Sequence, residues 1–244
     1  MDEKLQKLKE LIDKSERIVF FGGAGVSTES GIPDFRSADG LYNRNYSVPP
    51  ETILSYRYYL THPETFYRFY REKMLVTDAK PNDAHRALAK LEAEGKLLAV
   101  ITQNVDGLHQ KAGSKTVYEL HGSIWRNRCV RCMKAHPVEA VKNCDGVPLC
   151  ECGGMIKPEV VLYQESLNEK TLKGAIRAIQ NADLLIIGGT SLAVYPAAGL
   201  IDYFSGSALV IINRSPTPAD REATLLIDRP IGEVLGKVCG IANE

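Results

Sequence analysis

Ile18-Val19-Phe20-Phe21-Gly22-Gly23-Ala24-Gly25-Val26-Ser27 is the stretch on which the reading of this chain turns. A β-branched and aromatic run that breaks directly into glycines reads as a buried strand opening into an anion-cradling turn. Glycine suits such a turn because it tolerates positive φ and, lacking a Cβ, lets backbone N–H groups approach a phosphate. The polar continuation Ser27-Thr28-Glu29-Ser30 can then cap a helix whose N-terminus faces the anion. A plain tight turn between strand and helix would use the same residues. The spacing departs from the fingerprint of dinucleotide-dependent dehydrogenases. Gly23-x-Gly25 is present, but Thr28 stands at the third glycine position, and no acidic residue closes a second strand about 20 residues on. A phosphate-bearing ligand is expected, and ordinary hydride transfer is disfavoured.

Outward from this stretch, apolar β-rich runs recur at Arg17–Phe21, Leu97–Thr102, Val117–Leu120, Val160–Tyr163, Leu184–Ile187, Ala208–Ile212 and Thr224–Ile227. Helical patterns lie between several of them, at His85–Glu94, Glu169–Gln180 and Ile231–Cys239. Strands alternating with helices predict an α/β fold whose parallel sheet is covered on both faces. Two segments interrupt the rhythm and read as insertions. Asp39–Thr77 is tyrosine-rich with a helical stretch near Pro63–Met74, and Trp125–Pro158 is rich in cysteine, glycine and proline. Long insertions in a compact domain are usually functional.

Composition narrows the function classes. The 244 residues, 44% of them hydrophobic, suit one large domain or one carrying a smaller inserted module. A chain of this length buries roughly 70–75% of its unfolded surface without help from disulfides. Thirty basic and 30 acidic side chains give a formal net charge of +0, so nothing global steers the protein to nucleic acid or an anionic membrane. No apolar run approaches the roughly 20 residues that span a bilayer. Met1-Asp2-Glu3-Lys4-Leu5 does not read as a signal peptide, and Leu5, Leu8, Leu11 and Ile12 share one helix face. A reducing, cytoplasmic setting is expected, in which clustered cysteines serve metals rather than disulfides.

The cysteines are clustered. Cys129-Val-Arg-Cys132 is followed by Cys150-Glu-Cys152 and Gly153-Gly154. Two close pairs separated by a short stretch read as a tetrahedral thiolate zinc site, and four thiolates leave no open position, so the metal is structural. Cys144 ranks below Cys150 because its use would leave one of a close pair idle. Cys239 falls in a helical apolar pattern and reads as core. Arg126, Arg128, Arg131 and Lys134 would suit a nucleic-acid-reading ribbon, but the neutral chain favours a solvated basic face.

Polar residues gather where the strands end, which is where ligands bind in open α/β sheets. The runs above lead into Gln103-Asn104-Val105-Asp106-Gly107-Leu108-His109, His121-Gly122-Ser123, Gly188-Gly189-Thr190-Ser191 and Asn213-Arg214-Ser215. His121, at a strand end before a glycine, is the best-placed general base. His109 reads as packing or capping and His62 as a turn residue, while His85 and His136 have no chemical context.

Taken together, Gly23 through Ser27, Ser30-Gly31-Ile32-Pro33-Asp34-Phe35-Arg36, Gln103 through Asp106, Leu120-His121-Gly122, the cysteine pairs, Gly189-Thr190-Ser191 and Asn213 resemble, in order, the bacterial-type sirtuins. The resemblance runs from about Arg17 to Ile231. It implies NAD-dependent removal of acyl groups from protein lysines, releasing nicotinamide and O-acetyl-ADP-ribose, with protein ADP-ribosyl transfer as the alternative. It implies a Rossmann-like NAD-binding domain from residues 1–38, 78–123 and 159–244, a helical insertion at 39–77 and a zinc-ribbon module at 124–158. NAD would meet Ala24 and Thr28 at the pyrophosphate, Phe35 and Arg36 at the nicotinamide end, and Val105 and Asp106 at the carboxamide. Gln103 and Asn104 would contact the nicotinamide ribose and a positioned water. Thr190, Ser191, Asn213 and Ile231 would surround the adenosine half. His121, Asn104 and Asp106 would be catalytic, with His121 also touching cofactor, and Cys129, Cys132, Cys150 and Cys152 would hold zinc. Partners would be acyl-lysine proteins or peptides, bound as an added strand between Val160–Tyr163 and the loop near Val194-Tyr195, with no membrane and no direct nucleic-acid binding. Three departures stand out. Gly22 replaces a frequent threonine, and Tyr163-Gln164-Glu165 replaces Phe-Gly-Glu. In relatives that remove acidic acyl groups a Tyr-x-x-Arg stands in the aromatic helix, whereas here Arg71 comes one place late after Tyr67. Neutral acyl groups are therefore expected.

Overall fold

The computed structural model describes residues 2–35, 40 and 46–241. In chain order the helices are α1 (Glu3–Lys14), α2 (Pro50–Ile53), α3 (Tyr56–Thr61), α4 (Pro63–Lys73), α5 (Asp83–Ala93), α6 (Leu108–Lys111), α7 (Glu139–Lys142), α8 (Glu169–Asn181) and α9 (Ile231–Cys239). The strands are β1 (Ile18–Gly22), β2 (Leu97–Thr102), β3 (Val117–Glu119), β4 (Gly122–Cys129), β5 (Ala135–His136), β6 (Ile156–Val160), β7 (Leu184–Gly188), β8 (Ala208–Ile212) and β9 (Leu225–Ile227).

Every residue of β1, β7 and β8 is buried, as expected of strands covered on both faces. They form the centre of a six-stranded sheet ordered β3-β2-β1-β7-β8-β9, with every pairing parallel. Side chains alternate across it. Ile18 and Phe20 enter a core with Leu5, Leu8 and Ile12 of α1, Ala87 and Leu88 of α5 and Val234 and Leu235 of α9. Val19 and Phe21 face the other way, onto Ala175 and Ile179 of α8. The chain order across the sheet reverses between β1 and β7, which opens a crevice beyond their carboxyl ends.

The second sheet is antiparallel, three-stranded and ordered β5-β4-β6. Its core is aromatic. Tyr59 of α3 and Phe66, Tyr67 and Tyr70 of α4 pack with Ile124 and Cys129 of β4, Val141 of α7 and Ile156 and Val160 of β6. The helical insertion and the cysteine segment thus share one core.

The run Val160–Tyr163, expected among the parallel strands, is not part of that sheet. The strand lies earlier, at Ile156–Val160, and alternates buried and half-buried residues, the pattern of a strand with one face covered. Only Tyr163 makes an isolated bridge, to Ser55. Strand β4 was not anticipated, because Trp125-Arg126-Asn127-Arg128 lacks an apolar run. The boundaries at 124 and 158 fall inside β4 and β6. Directly after the glycine turn the described residues form no α-helix but two short 3-10 turns, Ala24–Val26 and Thr28–Ser30.

Candidate active site and metal centre

The glycine turn and its neighbour interlock at the crevice. The Gly25 N–H donates to the Gly189 carbonyl at 2.8 Å and the Gly23 N–H to Gly188 at 3.3 Å. A Cβ on Gly25 would sit 2.8 Å from the Gly189 Cα, so backbone packs on backbone. Ala24 is half-buried and Thr28 exposed at the rim. Gly22 has a local reason to lack a side chain, since a Cβ there would meet the Phe20 ring at 2.5 Å and Val26 Cγ2 at 3.0 Å.

Ser27 caps no helix. Its hydroxyl donates to Asp106 Oδ2 at 2.7 Å and accepts from Asn104 Nδ2 at 3.1 Å. Asp106 Oδ1 accepts from the Leu108 N–H at 2.9 Å, at the start of α6. Burial pushes the Asp106 carboxyl above its ordinary value, while the Leu108 and Ser27 hydrogen bonds pull it back. The Asp106 carbonyl accepts from Trp125 Nε1 at 2.7 Å, which ties β4 to this loop. Gln103 Nε2 reaches Thr190 Oγ1 at 3.0 Å, and the same hydroxyl accepts from the Leu192 N–H at 3.2 Å. Gln103 from the end of β2 and Thr190 from the end of β7 therefore meet, and Ser27 ties the turn after β1 to Asn104 and Asp106.

His121 follows β3 and Gly122 opens β4 at φ +78, where a side chain would collide with the Glu159 carbonyl. His121 Nδ1 lies 3.0 Å from the Gln103 carbonyl. A carbonyl only accepts, so Nδ1 carries the proton and Nε2 is the basic atom. Burial holds this imidazole below its ordinary 6.5, against the opposing pull of the Gln103 bond.

Of the remaining expected contacts, Phe35 and Val105 pack against the aromatic core, and Arg36 lies outside the described residues. Ser191 is exposed next to buried Thr190. Asn213, at the end of β8, donates from Nδ2 to the Ser215 carbonyl at 2.6 Å. Ile231 is buried under the end of β7, with Cδ1 against Gly188.

The four expected cysteines come together, with all four sulfurs within 4.8 Å of one another. Cys129 and Cys152 lie 3.4 Å apart and Cys132 and Cys150 3.7 Å. Zinc held at about 2.3 Å by four thiolates spaces its sulfurs about 3.8 Å apart, so the set fits that ion. The Cys132 and Arg131 N–H groups point at Cys129 Sγ and hold its thiol well below the ordinary range. Cys144 stands apart, with its thiol toward the Asp145 carbonyl.

Three participants escaped the sequence reading. Ser27 sat inside the motif but was read as a cap, and Trp125 carried no signal at all. His85 proves to be fully buried, part of a capping box with Asn82 at the start of α5. Asn82 Nδ2 in turn holds the Val26 carbonyl at 2.8 Å, directly beneath the glycine turn.

Residues 23–196 match the Sir2 family. Over 98% of its length the chain is 58% identical to a protein of Clostridium perfringens named NAD-dependent protein deacetylase, covering 99% of that protein. It is 56% identical to one of the same name from Clostridium acetobutylicum, over 97% of this chain and 98% of the other. Among solved structures, one described as a Sir2 variant with deacetylated p53 peptide and 3'-O-acetyl ADP ribose superposes with a TM-score of 0.90 at 43% identity, covering 97% of this chain and 98% of that one. Another, described as Sir2 with p53 peptide and NAD+, gives 0.87 at 43% identity, over 98% and 100%.

Proposed function

This chain belongs to the Sir2 family, and from that premise we propose how its residues carry out the reaction. The protein is an NAD-dependent protein-lysine deacetylase that releases nicotinamide and O-acetyl-ADP-ribose. The observation that carries the residue assignment is His121, whose bond to the Gln103 carbonyl leaves Nε2 as a base at the crevice where the two glycine turns interlock. The crevice suits NAD. Its glycine turns allow close backbone approach, and Gln103, Asn104, Thr190, Ser191 and Asn213 offer neutral donors and acceptors for ribose and amide groups.

When bound, NAD supplies the anomeric carbon that the acyl-lysine oxygen attacks as nicotinamide departs. Ala24 and Thr28 would face the pyrophosphate, and Thr190, Ser191, Asn213 and Ile231 the phosphate–adenosine half. Val105 and Asp106 would hold the carboxamide. Ser27 keeps the Asp106 carboxylate and the Asn104 amide in register, which would fix Asn104 at the ribose, while Thr190 holds Gln103 there. Phe35 and Arg36 would shield the nicotinamide end from water, which would otherwise capture the activated sugar. His121 Nε2 then takes a proton from a ribose hydroxyl so that this oxygen can attack the acyl carbon. Because burial holds His121 below its ordinary value, the acid limb of kcat/KM is expected below pH 6.5.

Cys129, Cys132, Cys150 and Cys152 would hold zinc, which would organise the cysteine turns of the module 124–158, while shared apolar burial joins that module to the insertion 39–77. The NAD-binding domain comprises 1–38, 78–123 and 159–244. A substrate peptide adds its main chain beside 160–163 and the loop near Tyr195. The N–H groups of Val161, Leu162 and Tyr163 already serve the His121 carbonyl, the Glu165 carboxylate and the Leu54 carbonyl, so pairing on this side would draw on main-chain carbonyls. Neutral acyl groups are preferred, because Tyr67 is buried with its hydroxyl on the Ile156 carbonyl and Arg71 turns toward the Val141 carbonyl. Among the described residues no helix is long and apolar enough to cross a membrane. The clustered thiols favour the cytoplasm, and the neutral net charge argues against nucleic acid as a partner.

The test is to mix the zinc-loaded protein with NAD and an acetyl-lysine peptide and measure nicotinamide and O-acetyl-ADP-ribose. His121→Ala is expected to keep fold and metal and to lose roughly 10²- to 10⁴-fold in rate. Wild-type turnover by this variant removes His121 from the mechanism, and label from NAD ending on protein without deacetylated peptide favours ADP-ribosyl transfer. Faster turnover of a succinyl-lysine peptide than of its acetyl twin overturns the acyl preference.

A further inference from the structure

Helix α9 has no capping side chain of its own. Its N-cap is Pro230, which offers no side-chain oxygen, and no residue of the helix supplies the missing acceptor. The first N–H groups of a helix nevertheless need acceptors and favour an anion. Here the anion arrives from 203 residues away in sequence. Glu29 Oε2 accepts from the Gly232 N–H at 2.6 Å, and Oε1 accepts from the Glu233 N–H at 3.2 Å. A Cβ at residue 232 would lie 2.7 Å from Glu29 Oε2, so a side chain there would push the carboxylate off the helix end. The cations nearest the helix start are committed elsewhere, Arg229 to Asp2 and Lys237 to Glu233, so the helix end itself holds the carboxylate.

Glu29 immediately follows Thr28, and Gly232 immediately follows Ile231. These are the positions assigned above to the pyrophosphate and to the adenosine half of NAD. Ile231 is packed beneath the end of β7, where its Cδ1 would collide with any Cβ on Gly188, so α9 is anchored to the sheet while the turn at Thr28 sits exposed at the rim. A carboxylate bridging the two transfers the rigidity of the buried helix to the exposed turn. It also fills the N-terminus of α9, leaving no place there for a ligand phosphate.

We infer that Glu29 is a positioning residue for NAD: its carboxylate caps α9 from a distance and so fixes the phosphate turn relative to the adenosine end. This rests on the assignment of the crevice to NAD. Binding of NAD to the zinc-loaded protein is measured directly, by calorimetry or by fluorescence of Trp125, the one tryptophan of the sequence. Steady-state kinetics with an acetyl-lysine peptide run alongside. Glu29→Ala is expected to weaken NAD binding and raise the NAD KM by about fivefold, with kcat at saturating NAD and the peptide KM unchanged. Glu29→Gln, which keeps an acceptor oxygen but not the charge, recovers part of the loss. Gly232→Ala is the discriminating variant. Helix propensity alone would make it stabilising, yet by displacing the carboxylate it should weaken NAD binding as Glu29→Ala does, and the double variant should be no worse than either single one. Without any nucleotide, the Gly232 and Glu233 amides should exchange faster in Glu29→Ala.

NAD affinity within twofold of wild type in Glu29→Ala overturns the inference. So does an equal loss in kcat and peptide KM, or strict additivity of the two substitutions. A wild-type protein that binds NAD but forms no O-acetyl-ADP-ribose would sink the deacetylase reading instead, with the Glu29 comparison still measurable by binding.

Discussion

In β1 and β7 every residue is buried, and the strands lie between two layers of helices. In β4 the burial is broken by Trp125 and Arg126, β5 is two residues long, and Val130, Met133 and Leu149 stand exposed around the cysteines. The parallel sheet's fully buried apolar side chains are aliphatic except for Phe20 and Phe21, with Tyr118 and Phe204 packed at the margin. The antiparallel sheet shares an aromatic core with α2, α3 and α4 on one side and on the other ends at four sulfurs. Burial suffices for the first region. In the second it is spent on the helical insertion, and the cysteine turns are left for a metal to organise. The two meet at His121, which lies between the last residue of β3 and the first of β4.

The hardest way to break this contrast is to remove the metal. A structural zinc contributes on the order of 10 kcal/mol to the segment it folds, far more than any single side chain here. Chelation, or Cys150→Ser, should therefore abolish hydrogen-exchange protection in β4, β5 and β6. Amides of β1, β7 and β8 should stay protected. Simultaneous loss in both sheets would show that the two regions form one cooperative unit.

Ser27 probes the seam from the side of the parallel sheet. Ser27→Ala leaves the buried Asp106 Oδ2 and Asn104 Nδ2 without their shared partner, a loss of about 2 to 3 kcal/mol when a buried charged group is orphaned. Denaturant titration should show that loss in the parallel sheet, with metal content unchanged, and NAD affinity should fall with it. Undiminished stability would mean that the two groups find other partners.

The parallel strands were legible because full burial forces continuous apolar runs, and the cysteine site because metal geometry forces close pairs. What escaped depends on contacts distant in sequence. Ser27 faces Asp106, 79 residues on. Trp125 reaches back to the loop before α6 from a strand with no apolar run. The misplacement of β6 at Val160–Tyr163 has the same origin, since Lys157 and Glu159 hide a strand whose apolar residues are only every second one. His121 could be proposed from its place at a strand end, but which of its nitrogens is basic follows only from the Gln103 carbonyl.

Acid should distinguish the regions less strongly. The His85 and His109 rings meet at a tilt of 57°, centroids 4.6 Å apart, and both are buried. Burial lowers His85 to about 4, with Arg86 adding to the effect, and holds His109 well below the ordinary histidine value, with His85 adding to it. Their neutral forms thus stabilise the fold fully above pH 6.5, and that stability drains as pH falls toward the folded values, because the unfolded chain takes up protons first. The slope is about 1.4 kcal/mol per pH unit for each histidine. Thermal melting between pH 7 and pH 5 should show it, and His109→Leu should flatten it. An unaltered slope in that variant would place the acid sensitivity at the zinc thiolates instead.

The smallest effect is expected where the two regions are joined by loop alone. Gln164 sits at φ 76, a left-handed conformation that costs a side-chain-bearing residue roughly 1 to 2 kcal/mol. Its Oε1 accepts from the Arg57 N–H at 3.1 Å, at the start of α3, and so returns about 1 kcal/mol. Gln164→Gly removes the strain and the bond together, and it also loosens the unfolded chain. The opposing effects should leave stability within about 1 kcal/mol of wild type, while the freed start of α3 shows faster exchange at the Arg57 amide. If the substitution instead stabilises by more than that, the side-chain bond contributes nothing, and the junction is held only by the backbone pairing of Tyr163 with Leu54 and Tyr56.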